Sequence, residues 1–90
     1  MVIPMIETEH GQFKLIKDHK DAFEVKAFNE RYVDYFDAFD YIVGDISAQV
    51  LRLRGFKDNE EKSIADYLME SAVPNAPFYI LKRIKDEVSE

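Results

Sequence analysis

The chain has no cysteine. Disulfide stapling and thiolate zinc sites are therefore excluded, which fits a reducing, cytoplasmic setting. A basic N-terminal segment and a long apolar run are also missing. Pro4 and Glu7 interrupt the first residues too early for a signal peptide. Apolar runs elsewhere last a few residues, far short of the roughly 20 that a spanning helix needs. Positive charge is scarce: 12 Lys and Arg stand against 18 Asp and Glu, a net charge of −6. Nucleic-acid binders draw much of their affinity from neutralised phosphates, so the overall sign argues against that class. The three glycines, Gly11, Gly44 and Gly55, are isolated and give neither a Gly-x-Gly-x-x-Gly nor a Walker spacing, so no phosphate cradle is written here. Ser47, Ser63 and Ser71 lie in no Gly-x-Ser-x-Gly context, and with no thiol present nucleophilic catalysis lacks its parts.

What is present is a chain sized for one α+β domain spanning residues 1–90. A chain of this length buries only roughly 60–65% of its unfolded surface. Seven Phe and five Tyr help so small a core close, because each ring removes much apolar area from water. No internal repeat, linker or low-complexity segment interrupts it.

Residues 2–9 and 12–17 read as a hairpin about His10-Gly11, since glycine supplies the positive φ of a tight turn. That turn pairs Glu7 with Lys14 and Ile6 with Leu15. Asp21 reads as a helix N-cap with Glu24 three residues on. Val25, Phe28, Tyr32, Tyr35, Phe36 and Phe39 then recur at helical spacing, predicting one helix from about residue 22 to about 38. Residues 40–45 and 49–56 read as strands. Leu51 and Leu53 alternate with Arg52 and Arg54, giving one apolar and one basic face. Nothing in Ile46-Ser47-Ala48 demands a two-residue turn, which favours an odd loop. Residues 57–62 read as a solvated loop. Ser63 with Asp66 predicts a second helix start, with Ile64, Tyr67, Leu68, Ser71 and Ala72 facing inward. Pro74 ends it, Pro74–Pro77 turns, and the apolar run Phe78–Leu81 predicts a central strand covered on both faces. The order is β-β-α-β-β-α-β: a largely antiparallel sheet packed against two helices.

Five blocks, Phe28-Asn29-Glu30-Arg31-Tyr32, Tyr41–Asp45, Gln49–Phe56, Asp66-Tyr67-Leu68 and Phe78–Arg83, resemble in order and spacing the YutD-like family of small bacterial proteins of unknown function. Relatives carry an aromatic where Ile46 stands, a longer loop after Phe56, and cysteines near Ala72 and Ala76, so no thiol chemistry of theirs transfers. The resemblance implies a cytoplasmic protein of Gram-positive type bacteria and an α+β fold. It implies no reaction and no cofactor.

Charge distribution supplies the candidate site. Residues 24–45 hold six acids against Lys26 and Arg31, whereas residues 51–57 hold Arg52, Arg54 and Lys57 and no acid. Arg52 and Arg54 share a strand face, and Lys82 or Arg83 joins them if the last strand is adjacent. Arginine binds carboxylate and phosphate in fork geometry. Salt bridges inside the domain are the simpler role for such residues, as is a pair from Arg31 to Glu30 or Asp34. Asp40 and Asp45 bracket a strand and stand too far apart for two-carboxylate chemistry, which needs roughly 5–10 Å. Asp18-His19-Lys20-Asp21 and His10 match no metal-ligand spacing, and the expectation is strand exit plus helix cap. The expected function is a non-enzymatic binding module using Arg52, Arg54, Asp45, Arg31, Lys82 and Arg83 toward an acidic protein or an RNA backbone, with no cofactor and no metal. Two alternatives stay open: a small enzyme or enzyme subunit built on Asp45 with Arg52 or Arg54, and a structural homodimer through an uncovered sheet face.

Overall fold

The computed structural model describes residues 4–70 and 76–84. Strands β1 (Met5–Thr8) and β2 (Gly11–His19) are followed by helix α1 (Val25–Arg31) and a 3₁₀ segment (Asp34–Ala38). Strands β3 (Tyr41–Ser47) and β4 (Val50–Phe56) come next. A short 3₁₀ turn (Asp58–Glu60) leads into α2 (Glu61–Glu70), and β5 (Phe78–Arg83) closes the order. The five strands make one sheet, β1-β2-β5-β3-β4, and every neighbouring pair is antiparallel. The apolar run at the C-terminal end is thus the middle strand, as a run covered on both faces should be.

The sheet has two covered faces because strand side chains alternate. One face carries Phe13, Ile42, Tyr79 and Leu81 and buries Phe28, Tyr32 and Phe36 from α1 and the segment after it. The other carries Tyr41, Val43 and Phe56 and buries Ile64 from α2, with Tyr67, Leu68 and Ile80 packed alongside. The α+β class and the element order therefore stand, with the two helices on opposite faces.

The first hairpin turns one residue earlier than the glycine suggested. Thr8 pairs with Gly11 and Glu7 with Gln12, leaving Glu9-His10 as the loop. The Thr8 hydroxyl accepts the His10 N–H at 3.0 Å and donates to the Gly11 carbonyl at 2.9 Å, which places the reversal there. Gly11 takes its positive φ, 118°, at the first position of β2. The register moves by two residues, so each side chain keeps its face.

The predicted long helix is broken. Lys20 and Asp21 adopt φ of 64° and 54°, so Asp21 shapes a turn and is not a cap. Asp18 instead accepts the backbone N–H groups of Ala22 and Phe23, at 2.6 and 3.2 Å. Helix α1 ends at Arg31, and Val33 is extended at φ −130° and ψ 163°. Val33, Asp34, Tyr35 and Phe36 are mediocre helix formers, and sheet packing overrides the weak propensity. The aromatic spacing survives in part: Phe28, Tyr32 and Phe36 are buried, whereas Val25 and Tyr35 are exposed.

The β3–β4 turn is Ala48-Gln49, with φ of 52° and 67°. This is the two-residue, doubly left-handed turn whose twist suits a hairpin. The odd loop favoured from the sequence is thus overturned. An odd loop would set Asp45 opposite a leucine; the observed one sets it opposite Arg52. The supposed loop at 57–62 is the 3₁₀ turn and the start of α2, so Ser63 lies inside the helix. Glu60 holds that start by accepting the Lys57 N–H at 2.8 Å. Ser71, Ala72 and Pro74-Asn75 lie outside the described residues.

Candidate functional site

The β3–β4 register builds the site. Asp45 of β3 faces Arg52 of β4 directly, on the sheet face that α2 covers. Asp45 is fully buried, and the Arg52 side chain is 44% exposed. Arg52 Nη2 donates to Asp45 Oδ2 at 2.6 Å. The second carboxylate oxygen, Oδ1, accepts the Tyr67 hydroxyl from α2 at 3.2 Å. The pair joins two strands and a helix, and both carboxylate oxygens are used. The hydrogen bond and charge of Asp45 hold the Arg52 guanidinium above its ordinary value. Burial, then the Asp45 charge, pushes the Tyr67 hydroxyl up.

Arg54 is next on the same face, two residues along β4. Its guanidinium carbon lies 5.4 Å from the Tyr67 ring centre and 5.7 Å from that of Phe56. Both rings attract a cation through their electron-rich faces. Arg54 is exposed and has no carboxylate partner among the described residues. A groove of about 430 Å³ runs past it, lined by Tyr35, Phe39, Glu60 and residues 53–56.

The other sequence-predicted residues do not converge here. The last strand pairs with β2 and β3, so it is not adjacent to β4. Lys82 shares the Arg52 face but lies over the Tyr41 ring at 5.6 Å. Arg83 projects to the opposite face. Its Nε donates to the Phe39 carbonyl at 3.0 Å, and its Nη2 donates to the Phe36 carbonyl at 3.0 Å and to the Tyr32 hydroxyl at 2.7 Å. It also stacks 4.9 Å from the Phe13 ring centre. Arg83 thus ties the broken helical segment to the sheet. Arg31 is the last residue of α1, across the sheet from Arg52, and pairs with neither Glu30 nor Asp34 among the described residues. Asp40 accepts the Asp58 N–H at 2.8 Å, joining strand entry to the 3₁₀ turn. His10 stacks on Tyr32 with ring centres 4.2 Å apart, and His19 stacks on Phe78 at 5.1 Å.

A family model described as "Putative antitoxin YutD-like" matches residues 7–82. The chain belongs to the YutD-like family. Among its relatives, the protein named "Putative antitoxin YutD" from Bacillus subtilis is 33% identical over 90 aligned residues, covering 90% of this chain and 99% of that one. The solution NMR structure of protein yutD from B. subtilis superposes with a TM-score of 0.78 at 33% identity, covering 91% of this chain and 83% of that chain. YutD-like membership and the α+β fold therefore agree.

In this YutD-like chain the sequence named Asp45, Arg52 and Arg54 but missed Tyr67 as a polar member. Tyr67 was legible only as an inward position on α2. The signal was its hydroxyl, since most inward-facing tyrosines pair that group. No helix among the described residues is long and apolar enough to cross a membrane.

Proposed function

We propose that this chain is a non-enzymatic binding module that associates with an acidic partner protein through Arg54 and the exposed part of Arg52. The observation that carries the reading is Arg54: exposed, propped on two aromatic rings, lacking a carboxylate among the described residues, and set beside an open groove. A guanidinium so held is oriented before its ligand arrives, which lowers the cost of ordering it. Asp45 supports binding over catalysis. Its carboxylate is sealed from solvent and both oxygens are engaged, so no oxygen is offered to a substrate. An RNA backbone carries a charge at every phosphate, so the net charge of −6 weighs more against it than against a protein segment bearing a few acids. The word "antitoxin" in the family description fits this reading, since a protein antitoxin that works by association needs a partner-binding surface. Cytoplasmic residence belongs to the same proposal.

The test is affinity capture from native cells with wild type and Arg54→Glu, each with and without RNase. The expected result is a partner recovered by wild type, resistant to RNase, weakened by salt and lost with a folded Arg54→Glu. Exposed charges are screened over about 8–10 Å at physiological ionic strength, hence the salt dependence. Equal recovery by the folded variant, or recovery abolished by RNase, overturns the reading.

A further inference from the structure

β4 ends the sheet, so its outer edge has no ladder partner among the described residues. Unpaired N–H and C=O groups on such an edge are a template for another strand. Proteins commonly blunt their edges with proline, bulges or short length. The β1 edge is short, at four residues. β4 is seven residues long, contains no proline and keeps an unbroken register with β3. The groove beside its C-terminal half leaves room for backbone along Leu53, Gly55 and Phe56.

The side chains decide which strand fits. Leu51 and Leu53 lie on one face of β4, Arg52 and Arg54 on the other. Cross-strand neighbours interact pairwise, so an added strand should set apolar residues beside the leucines and acids beside the arginines. A second copy of this chain does not meet that need. β4 offers no acid in any register, and the antiparallel self-pairing centred on Leu53 sets Arg52 against Arg54 twice, where like charges directly opposite destabilise a ladder. Glu60 lines the same groove and disfavours further acids in the partner beyond the two positions beside the arginines.

We infer that β4 accepts an extended segment of a different protein, with acidic residues at two alternate positions and apolar residues between them, as an added edge strand. The inference rests on the reading of Arg54 as a partner-binding residue and supplies its mode. The two arginines then have a double use: they repel indiscriminate edge pairing and select an acidic strand.

The full chain, labelled with ¹⁵N, is titrated with two synthetic peptides. One is Thr-Val-Glu-Val-Glu-Val-Thr; the other has lysine at both glutamate positions. The glutamate peptide should shift the amides of residues 51–56 and slow their hydrogen exchange. The lysine peptide should bind roughly tenfold more weakly, because its cations meet Arg54, whose charge no described carboxylate offsets as Asp45 offsets that of Arg52. In Arg54→Ala, whose spectrum reports its fold directly, most of that difference should vanish. Amide shifts confined to another surface, or none with either peptide, overturn strand addition. If Arg54→Glu still loses its cellular partner in that case, the Arg54 surface survives and only the mode is wrong. Equal binding of the two peptides at β4 overturns the charge reading of Arg54 instead.

Discussion

Asp45 and Arg52 sit directly opposite each other across the β3–β4 hairpin, joined at 2.6 Å, with the carboxylate buried and the guanidinium half in solvent. The asymmetry has a consequence. Removing Arg52 leaves a buried charge without its cation; neutralising Asp45 leaves a cation that water can still reach. Arg52→Ala should therefore lower the denaturant midpoint more than Asp45→Asn does. The double replacement should cost less than the sum, because the two residues share one interaction. Additive losses would show that the pair is not coupled.

Arg83 makes three close hydrogen bonds on the opposite face, to Phe36, Phe39 and Tyr32. A lysine keeps the charge but not the fork that reaches all three acceptors. Arg83→Lys should cost roughly 2–3 kcal/mol, since hydrogen bonds to a charged group contribute more than neutral ones. Hydrogen exchange should speed first at Phe36 and Phe39. A midpoint equal to wild type would remove Arg83 from the account of how the broken helix is held.

Tyr79 is fully buried, and its hydroxyl has no hydrogen-bond partner among the described residues. Its ring lies where a Cβ on Gly44 would sit, which explains a glycine in the middle of β3. Tyr79→Phe keeps the ring and removes the orphaned hydroxyl, so it should be neutral or stabilise by about 1 kcal/mol at neutral pH.

The same residue governs behaviour in alkali. Burial raises the Tyr79 hydroxyl well above its ordinary value and also raises Tyr32, Tyr41 and Tyr67. A raised value in the fold means the native state holds its phenol protons longer than the unfolded chain, which begins to release them near pH 10. This contribution is intact below about pH 10 and is lost as pH rises through the higher folded values. Denaturant midpoints measured upward from pH 9 should fall, and Tyr79→Phe should make the fall shallower. An identical slope would place the alkaline loss elsewhere.

Phe28→Ala and Phe36→Ala should each cost roughly 3–5 kcal/mol, enough to leave a domain of this size largely unfolded. Both rings are buried, whereas Lys26 and Tyr35 are exposed. In the same denaturation assay Lys26→Ala should be nearly silent, and Tyr35→Ala should cost only about 1–2 kcal/mol, because its exposed ring keeps just edge contacts to Phe36 and Phe39. The Tyr35 arm separates the observed break from an unbroken helical stripe, in which Tyr35 would face the core.

By itself the sequence determined the element order, the α+β class, the middle position of Phe78–Leu81 and the alternation of Leu51 and Leu53 with Arg52 and Arg54. These follow from period and continuity, which a linear chain displays. It also placed Phe28 and Phe36 in the core, because apolar spacing survives a change of local backbone. The tertiary structure alone decided register and helix integrity. A two-residue turn at Ala48-Gln49, without glycine or asparagine, was selected because it brings Asp45 to Arg52 and buries the matching apolar face. The helix broke at Val33 because the sheet and Arg83 hold the following segment more firmly than one more helical turn would. Lys82 and Arg83 were separated to opposite faces by the strand itself, and β3 stands between them and β4. Whether two arginines form a surface or a strut depends on what lies across the strand, and a sequence does not state its neighbours.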